Sequence, residues 1–219
     1  MSESDKSPCH GTDDSLILRE FDELKKAGLI AGKRRLVRKS NMLDSSAEFH
    51  GGRVFHSRIY YRLGKCSLTS CDVKFILLHE EGHARTLQVW QIFIVALSAI
   101  LLWMNFLHPP SVFRDNLLLV AADLIVSAFS FRSALFFLRW DEYRADKYGA
   151  IVLRDRFGVA KPSRVLQNVL ASLQLSSSSL ERRRDGVAKT YWMILGVIFG
   201  DPHPKAEDRV KRIAETVDI

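Results

Sequence analysis

His79-Glu80-Glu81-Gly82-His83 places two imidazoles four residues apart, with a carboxylate directly after the first. On a helix, residues i and i+4 share a face, so His79 and His83 can both turn a ring nitrogen to one metal ion. Glu80 then stands where its carboxylate reaches a water on that metal. Zinc lowers the pKa of such a water to about 7, and a glutamate can take its proton as the water attacks a carbonyl. The same five residues also fit two surface histidines on a polar helix. Three further requirements separate the readings: a helical context, a third ligand and a cleft.

The third ligand in sites of this kind is usually a glutamate, with the fourth position left to water. Glu142 and Asp146 stand four apart within Trp140 to Ala150, on a predicted helix. One carboxylate can ligate zinc. The other can accept the free ring N–H of a ligating histidine and so fix its tautomer. The bland alternative is a solvated helix carrying i, i+4 charges.

Three separated pieces of the chain resemble the integral-membrane zinc metallopeptidases that include the HtpX heat-shock proteases and the CAAX prenyl proteases. The first is His79 to His83, including the glycine before the second histidine. The second is Glu142-Tyr143-Arg144-Ala145-Asp146, which matches the family's E-x-x-A-D. The third is Asp201-Pro202-His203-Pro204 with Arg209, which matches a His-Pro followed by Arg six residues after the His. The pieces occur in the family's order, and the likeness covers residues 46–212. The resemblance implies a zinc-dependent metalloendopeptidase with one Zn2+ per chain, held by His79, His83 and Glu142. Glu80 would be the general base and later the proton donor to the leaving amine. Asp146 would orient a zinc histidine, and His203 would stabilise the oxyanion. Arg209 would anchor its loop by pairing with a carboxylate, Glu142 or Asp146. Ala47-Glu48-Phe49 resembles the family's Asn-Ala-Phe edge strand, with Ser46 in place of the Asn and one extra residue between. Such a strand can bind a peptide by adding it to the sheet. Longer HtpX-like members carry further spans before the zinc helix, whereas here that stretch is short and polar. The difference puts a chaperone-like quality-control role in doubt.

The elements that must position these residues follow from pattern. Asp14 or Ser15 can cap a helix carrying Leu16, Ile17, Phe21, Leu24 and Leu29, stopped by Gly28 and Gly32. Lys33-Arg34-Arg35 with Arg38-Lys39 reads either as a solvated loop or as a contact for anionic lipid headgroups. Residues 46–63 carry the strand signals, with Gly51-Gly52 as a hairpin turn and Val54, Phe55, Ile59, Tyr60 and Tyr61 after it. Ser70 or Asp72 opens the zinc helix, whose other face is apolar through Val73, Phe75, Ile76, Leu77 and Leu78. Leu87 to Leu107 is 21 residues without a charge. At 1.5 Å per residue it covers roughly 30 Å, a bilayer core. A second apolar stretch, Leu117 to Leu138, includes Asp123 and Arg132 and is expected to pair with the first as a transmembrane hairpin. Tyr191 to Phe199 is too short to span and reads as a buried helix.

The expected fold is mainly α with a small β-sheet (α+β), a gluzincin-type peptidase domain interrupted by a two-helix transmembrane hairpin. Its parts are a disordered tail at 1–14, a zinc-helix segment at 15–86, the hairpin at 87–138, and a C-terminal segment with the third ligand at 139–219. Lys and Arg number 15 before residue 87 and 15 after residue 138, against Arg114 alone in the turn between the spans. Both termini and the active site are therefore expected on the cytoplasmic side of an integral membrane protein, in the cell membrane. The same distribution explains the net charge of +7. No nucleic-acid motif accompanies it. The expected partners are a protein or peptide substrate and the lipid bilayer, with no nucleic acid. Cys9, Cys66 and Cys71 form no disulfide pattern and suit a reducing compartment; Cys66 and Cys71 lack the second pair of a zinc knuckle. The polar N-terminus has no secretory signal. His10, His50, His56 and His108 take bland readings, although His50 and His56 could line the cleft. The functional alternative is a catalytically silent zinc-binding membrane scaffold or regulator.

Overall fold

Helix α1, Asp14–Lys26, forms where Ile17, Phe21 and Leu24 recur at helical spacing, and it buries that stripe. Gly28 takes φ +71°, and the Leu29 amide returns to the Leu24 carbonyl at 2.9 Å. This left-handed glycine cap ends the helix where the sequence predicts. The computed structural model describes residues 14–38, 48–51, 58–62, 68–85, 97, 100, 117–181 and 204–219. The remaining elements are β1 (Arg35–Arg38), β2 (Glu48–Gly51), β3 (Arg58–Arg62), α2 (Ser70–Ala84), α3 (Leu117–Phe157), α4 (Pro162–Glu181) and α5 (Ala206–Thr216).

The strands form one three-stranded sheet in the order β1-β3-β2. β1 runs parallel to β3, and β2 antiparallel to it with Phe49 opposite Tyr61. Ile59 and Tyr61 turn one face of β3 into the core, the alternation expected of a half-buried strand. β1 corrects the reading of the basic run. Arg35 and Arg38 are exposed on a strand, while Arg34 just before it is fully buried. Val54 and Phe55, which were expected in a strand, lie outside the described residues, as does Tyr191 to Phe199.

α2 begins at Ser70, one of the two openings that the sequence offers. Thr69 is its N-cap, accepting the Asp72 amide at 3.2 Å, while the Asp72 carboxylate accepts the Thr69 amide at 2.8 Å. This reciprocal box satisfies two free helix-end donors. The helix is not simply amphipathic. Val73 and Phe75 to Leu78 are buried, and so are Glu80 to His83, because α1, β2, α3 and α4 pack around it. A helix buried on every side lies at the centre of its domain.

The chain divides into two compact units. One comprises Met1–Arg85, Tyr143–Asp185 and Lys205–Ile219, and the other Thr86–Glu142 and Gly186–Pro204. The core described above belongs to the first. The division passes through α3, which is 41 residues long and continuous from the expected second span into the segment bearing Glu142. Among the described residues no helix is long and apolar enough to cross a membrane. The expected first span lies outside them except for Leu97 and Ile100, which are both exposed.

α1 and α2 are also tied by charge. Lys74 Nζ lies 3.3 Å from the buried Glu20 carboxylate and 3.0 Å from Glu23. Burial alone would raise the Glu20 carboxyl, but hydrogen bonds from Arg19, Lys74 and Ser70 outweigh it and hold it below the usual range. A depressed carboxylate adds stability that is complete above its unfolded pKa, about 4.3, and is lost as pH falls through the folded value. Glu20→Gln should therefore lower stability by about 1–2 kcal/mol at pH 7, with the gap closing progressively below about pH 4. Denaturant unfolding at pH 7 and pH 3 reads both values, and an equal loss at both would contradict ionised pairing.

Candidate metal centre

The i, i+4 spacing on α2 brings the two imidazoles together as expected. His79 Nε2 and His83 Nε2 are 3.0 Å apart, with ring planes at 86°. Glu142 on α3 completes the set: one donor atom from each of His79, His83 and Glu142 lies within 4.8 Å of the others. Two nitrogens bound to zinc at 2.0–2.1 Å in a tetrahedron stand about 3.3 Å apart, so the rings need separate by only a few tenths of an ångström. Two imidazoles and one carboxylate are a donor set that leaves a fourth position open, and the three residues fit a zinc ion.

His79 presents the right nitrogen because its other one is engaged. Its Nδ1 lies 2.9 Å from Asp146 Oδ1. A proton held there puts the metal-ligating lone pair on Nε2, the nitrogen turned towards His83. Asp146 is fully buried, and Arg209 binds it with a two-pronged fork, Nε to Oδ2 and Nη2 to Oδ1, both 2.7 Å. Of the two carboxylates the sequence offered to Arg209, the structure selects Asp146. Burial pushes the Asp146 carboxyl up, but the hydrogen bonds from Arg209 and His79 prevail and hold it below the ordinary carboxylate range. It stays an anion, able to accept from the histidine.

Glu142 and Asp146 sit one turn apart on α3, a spacing that puts both carboxylates on one face of the helix. The approach of the two helices depends on small residues. A Cβ on Gly82 would stand 2.8 Å from Ala145 Cα and 3.1 Å from its carbonyl oxygen. Gly82, within the histidine motif, and Ala145, within the carboxylate motif, therefore lie backbone against backbone. Gly149, one turn further, faces Phe75 and the His79 amide in ordinary contact.

Glu80 is buried beside the histidines, next to His79 on α2. His203 lies outside the described residues, and so do His10, His56 and His108; His50 is in β2. Two residues near the site escaped the sequence reading. Glu81 is buried, and its carboxylate takes a 2.9 Å bond from Arg34 Nε. The signal was present in Glu81 itself. It stands four residues after Leu77 and three after Leu78, on an apolar face where a carboxylate requires a cation.

Gly82→Ala tests the helix contact. Overpacking against backbone costs about 1–3 kcal/mol, set against about 1 kcal/mol of gained helix propensity. The variant should be destabilised by about 1 kcal/mol net and should bind zinc at least tenfold more weakly, since its ligands are carried on both helices. Calorimetric unfolding and chelator competition measure the two effects. A variant of unchanged zinc affinity would show that the close approach does not set the ligand geometry.

The family profile described as Peptidase family M48 matches residues 34–217. No curated protein and no solved structure matches the chain.

Proposed function

Because the chain belongs to peptidase family M48, we propose that it is a zinc-dependent metalloendopeptidase that cleaves protein or peptide segments close to a membrane, on the cytoplasmic side. The observation that carries the reading is the convergence of His79, His83 and Glu142, with Glu80 adjoining the first of them on the same helix. Zinc, when bound by these three, supplies a Lewis acid and an acidified water. Asp146 and Arg209 hold the His79 ring in its ligating tautomer. The Glu80 carboxylate takes the proton of the attacking water and returns it to the leaving amine nitrogen.

Peptide backbone has a place to bind beside this group. β2 lies at one edge of the sheet and packs alongside α2. An extended substrate can add to that edge through main-chain hydrogen bonds. His203, assigned from its motif, donates to the developing oxyanion, a contact of the kind typically worth about 3 kcal/mol.

The membrane part of the reading is supported by the first half of α3. Ile125, Val126, Phe129 and Phe136 are exposed along it, with Phe129 74% accessible. Ile125, Phe129, Arg132, Phe136 and Trp140 recur at helical spacing on one stripe. Exposed apolar stripes of this kind mark a surface that meets lipid or another protein. Trp140 at its end suits an interface with headgroups. The cytoplasmic side follows from the excess of Lys and Arg flanking the two apolar stretches.

A pair of substitutions tests the chemistry. His79→Ala should abolish zinc binding. Glu80→Gln should retain one zinc per chain and lose about 10²- to 10⁴-fold in peptide cleavage, the usual contribution of a general base. Metal analysis and peptide turnover give both answers. Zinc retained by His79→Ala would sink the ligand assignment. A wild type that binds zinc yet cleaves no peptide would favour the silent scaffold.

A further inference from the structure

Arg34 is the largest fully buried side chain among the described residues, and it lies against the turn of α2 that joins the two histidines. Its Nε donates to Glu81 Oε2 at 2.9 Å and its Nη2 to the Glu80 carbonyl at 3.2 Å. We propose that Arg34 is a positioning residue of the metal centre, pinning the His79–His83 turn so that both rings stand ready to receive the ion. The proposal rests on the zinc reading above.

The reason lies in where His83 falls. α2 ends at Ala84, one residue later. Final helical turns lack intrahelical partners for their carbonyls and fray readily. Any freedom left in such a turn, beyond what the Gly82 contact with Ala145 already restrains, would be subtracted from the affinity. Arg34 removes the freedom beforehand. Consecutive residues are 100° apart around a helix, so two bonds from one planar guanidinium to Glu80 and Glu81 fix both the rotation and the height of the turn. The positive charge also stands at a helix C-terminus, where the backbone dipole favours it.

Arg34 is itself held. Its amide donates to Ala31 at 2.9 Å, its carbonyl accepts Lys25 Nζ of α1 at 3.0 Å, and the next residue begins β1. The other Glu81 oxygen lies 3.5 Å from Arg85 Nε. Arg85 in turn donates to the Leu29 carbonyl at 3.2 Å and lies 4.7 Å from the Tyr148 ring centroid. The end of α2 is thus clamped by groups from α1, the approach to β1, and α3. These groups reach the Glu80 carbonyl, the Glu81 carboxylate and Arg85, all on the backbone turn that carries the histidines, so the effect on the metal is exerted through the helix.

A buried ion pair can be replaced by apolar residues of similar size without loss of stability. That fact separates positioning from mere support. The double variant Arg34→Met/Glu81→Leu should keep the unfolding temperature of the wild-type apoprotein but bind zinc 10- to 100-fold more weakly by chelator competition, the range seen when groups that orient ligands are removed. Arg34→Lys, able to reach only one of the two acceptors, should fall between. It serves as the deciding variant if the double one does not fold. Zinc affinity within twofold of wild type in the folded variant would overturn the role of Arg34 while leaving the metal centre intact. A wild type that holds no zinc would overturn the zinc reading itself, and this role with it.

Discussion

The Asp146 carboxylate is the interaction on which the site depends. A buried anion is costly unless it is paired and hydrogen-bonded. Asp146 is fully buried and can remain charged only because the Arg209 fork and His79 both reach it. That requirement brings α2, α3 and α5 to one point. It also decides which nitrogen of His79 turns towards His83 and Glu142. A protonated or displaced carboxylate would release the ring, and α5 would lose one of its polar ties to α3.

The second constraint is distance. Gly82 and Ala145 let the backbones of α2 and α3 meet without side chains between them. Glu142 lies one turn before Asp146 on the same helix, so the same contact brings both carboxylates to the two histidines. The candidate metal group of His79, His83 and Glu142 is therefore largely enclosed by the core rather than laid out on a surface. Charges there interact more strongly than in water, which raises both the benefit of each correct pairing and the cost of each missing one. α2 shows the consequence along its length. Asp72 is satisfied by Thr69, His79 is paired with Asp146, and Glu81 with Arg34.

α3 serves two environments. Its C-terminal part buries Asp141, Glu142, Ala145, Asp146, Ala150 and Leu153, while its first half exposes Ile125, Phe129 and Phe136. One continuous helix thereby runs from an apolar exposed stripe into the segment that bears Glu142 and Asp146. The basic stretch near residue 35 is divided in a comparable way. Arg35 and Arg38 face outward on β1, while Arg34, their neighbour, is enclosed.

Local chemistry was readable from the chain alone. The i, i+4 spacing of His79 and His83, the pairing of Glu142 with Asp146, the glycine stop after α1 and the strand character of residues 58–62 all follow from short-range geometry. That geometry is the same in any context. What the sequence could not supply was the partner across space. Arg34 is 47 residues from Glu81 and Arg209 is 63 from Asp146. The family resemblance narrowed Arg209 to Glu142 or Asp146 without choosing between them, and for Glu81 many other cations of this basic chain were equally available. β1 was hidden for a similar reason: four residues rich in arginine carry little strand signal until β3 offers a parallel edge. The sequence alone determined which residues could bind a metal. Only packing decided which cation was buried against which carboxylate, because burial is a property of the whole fold and not of neighbours in the chain.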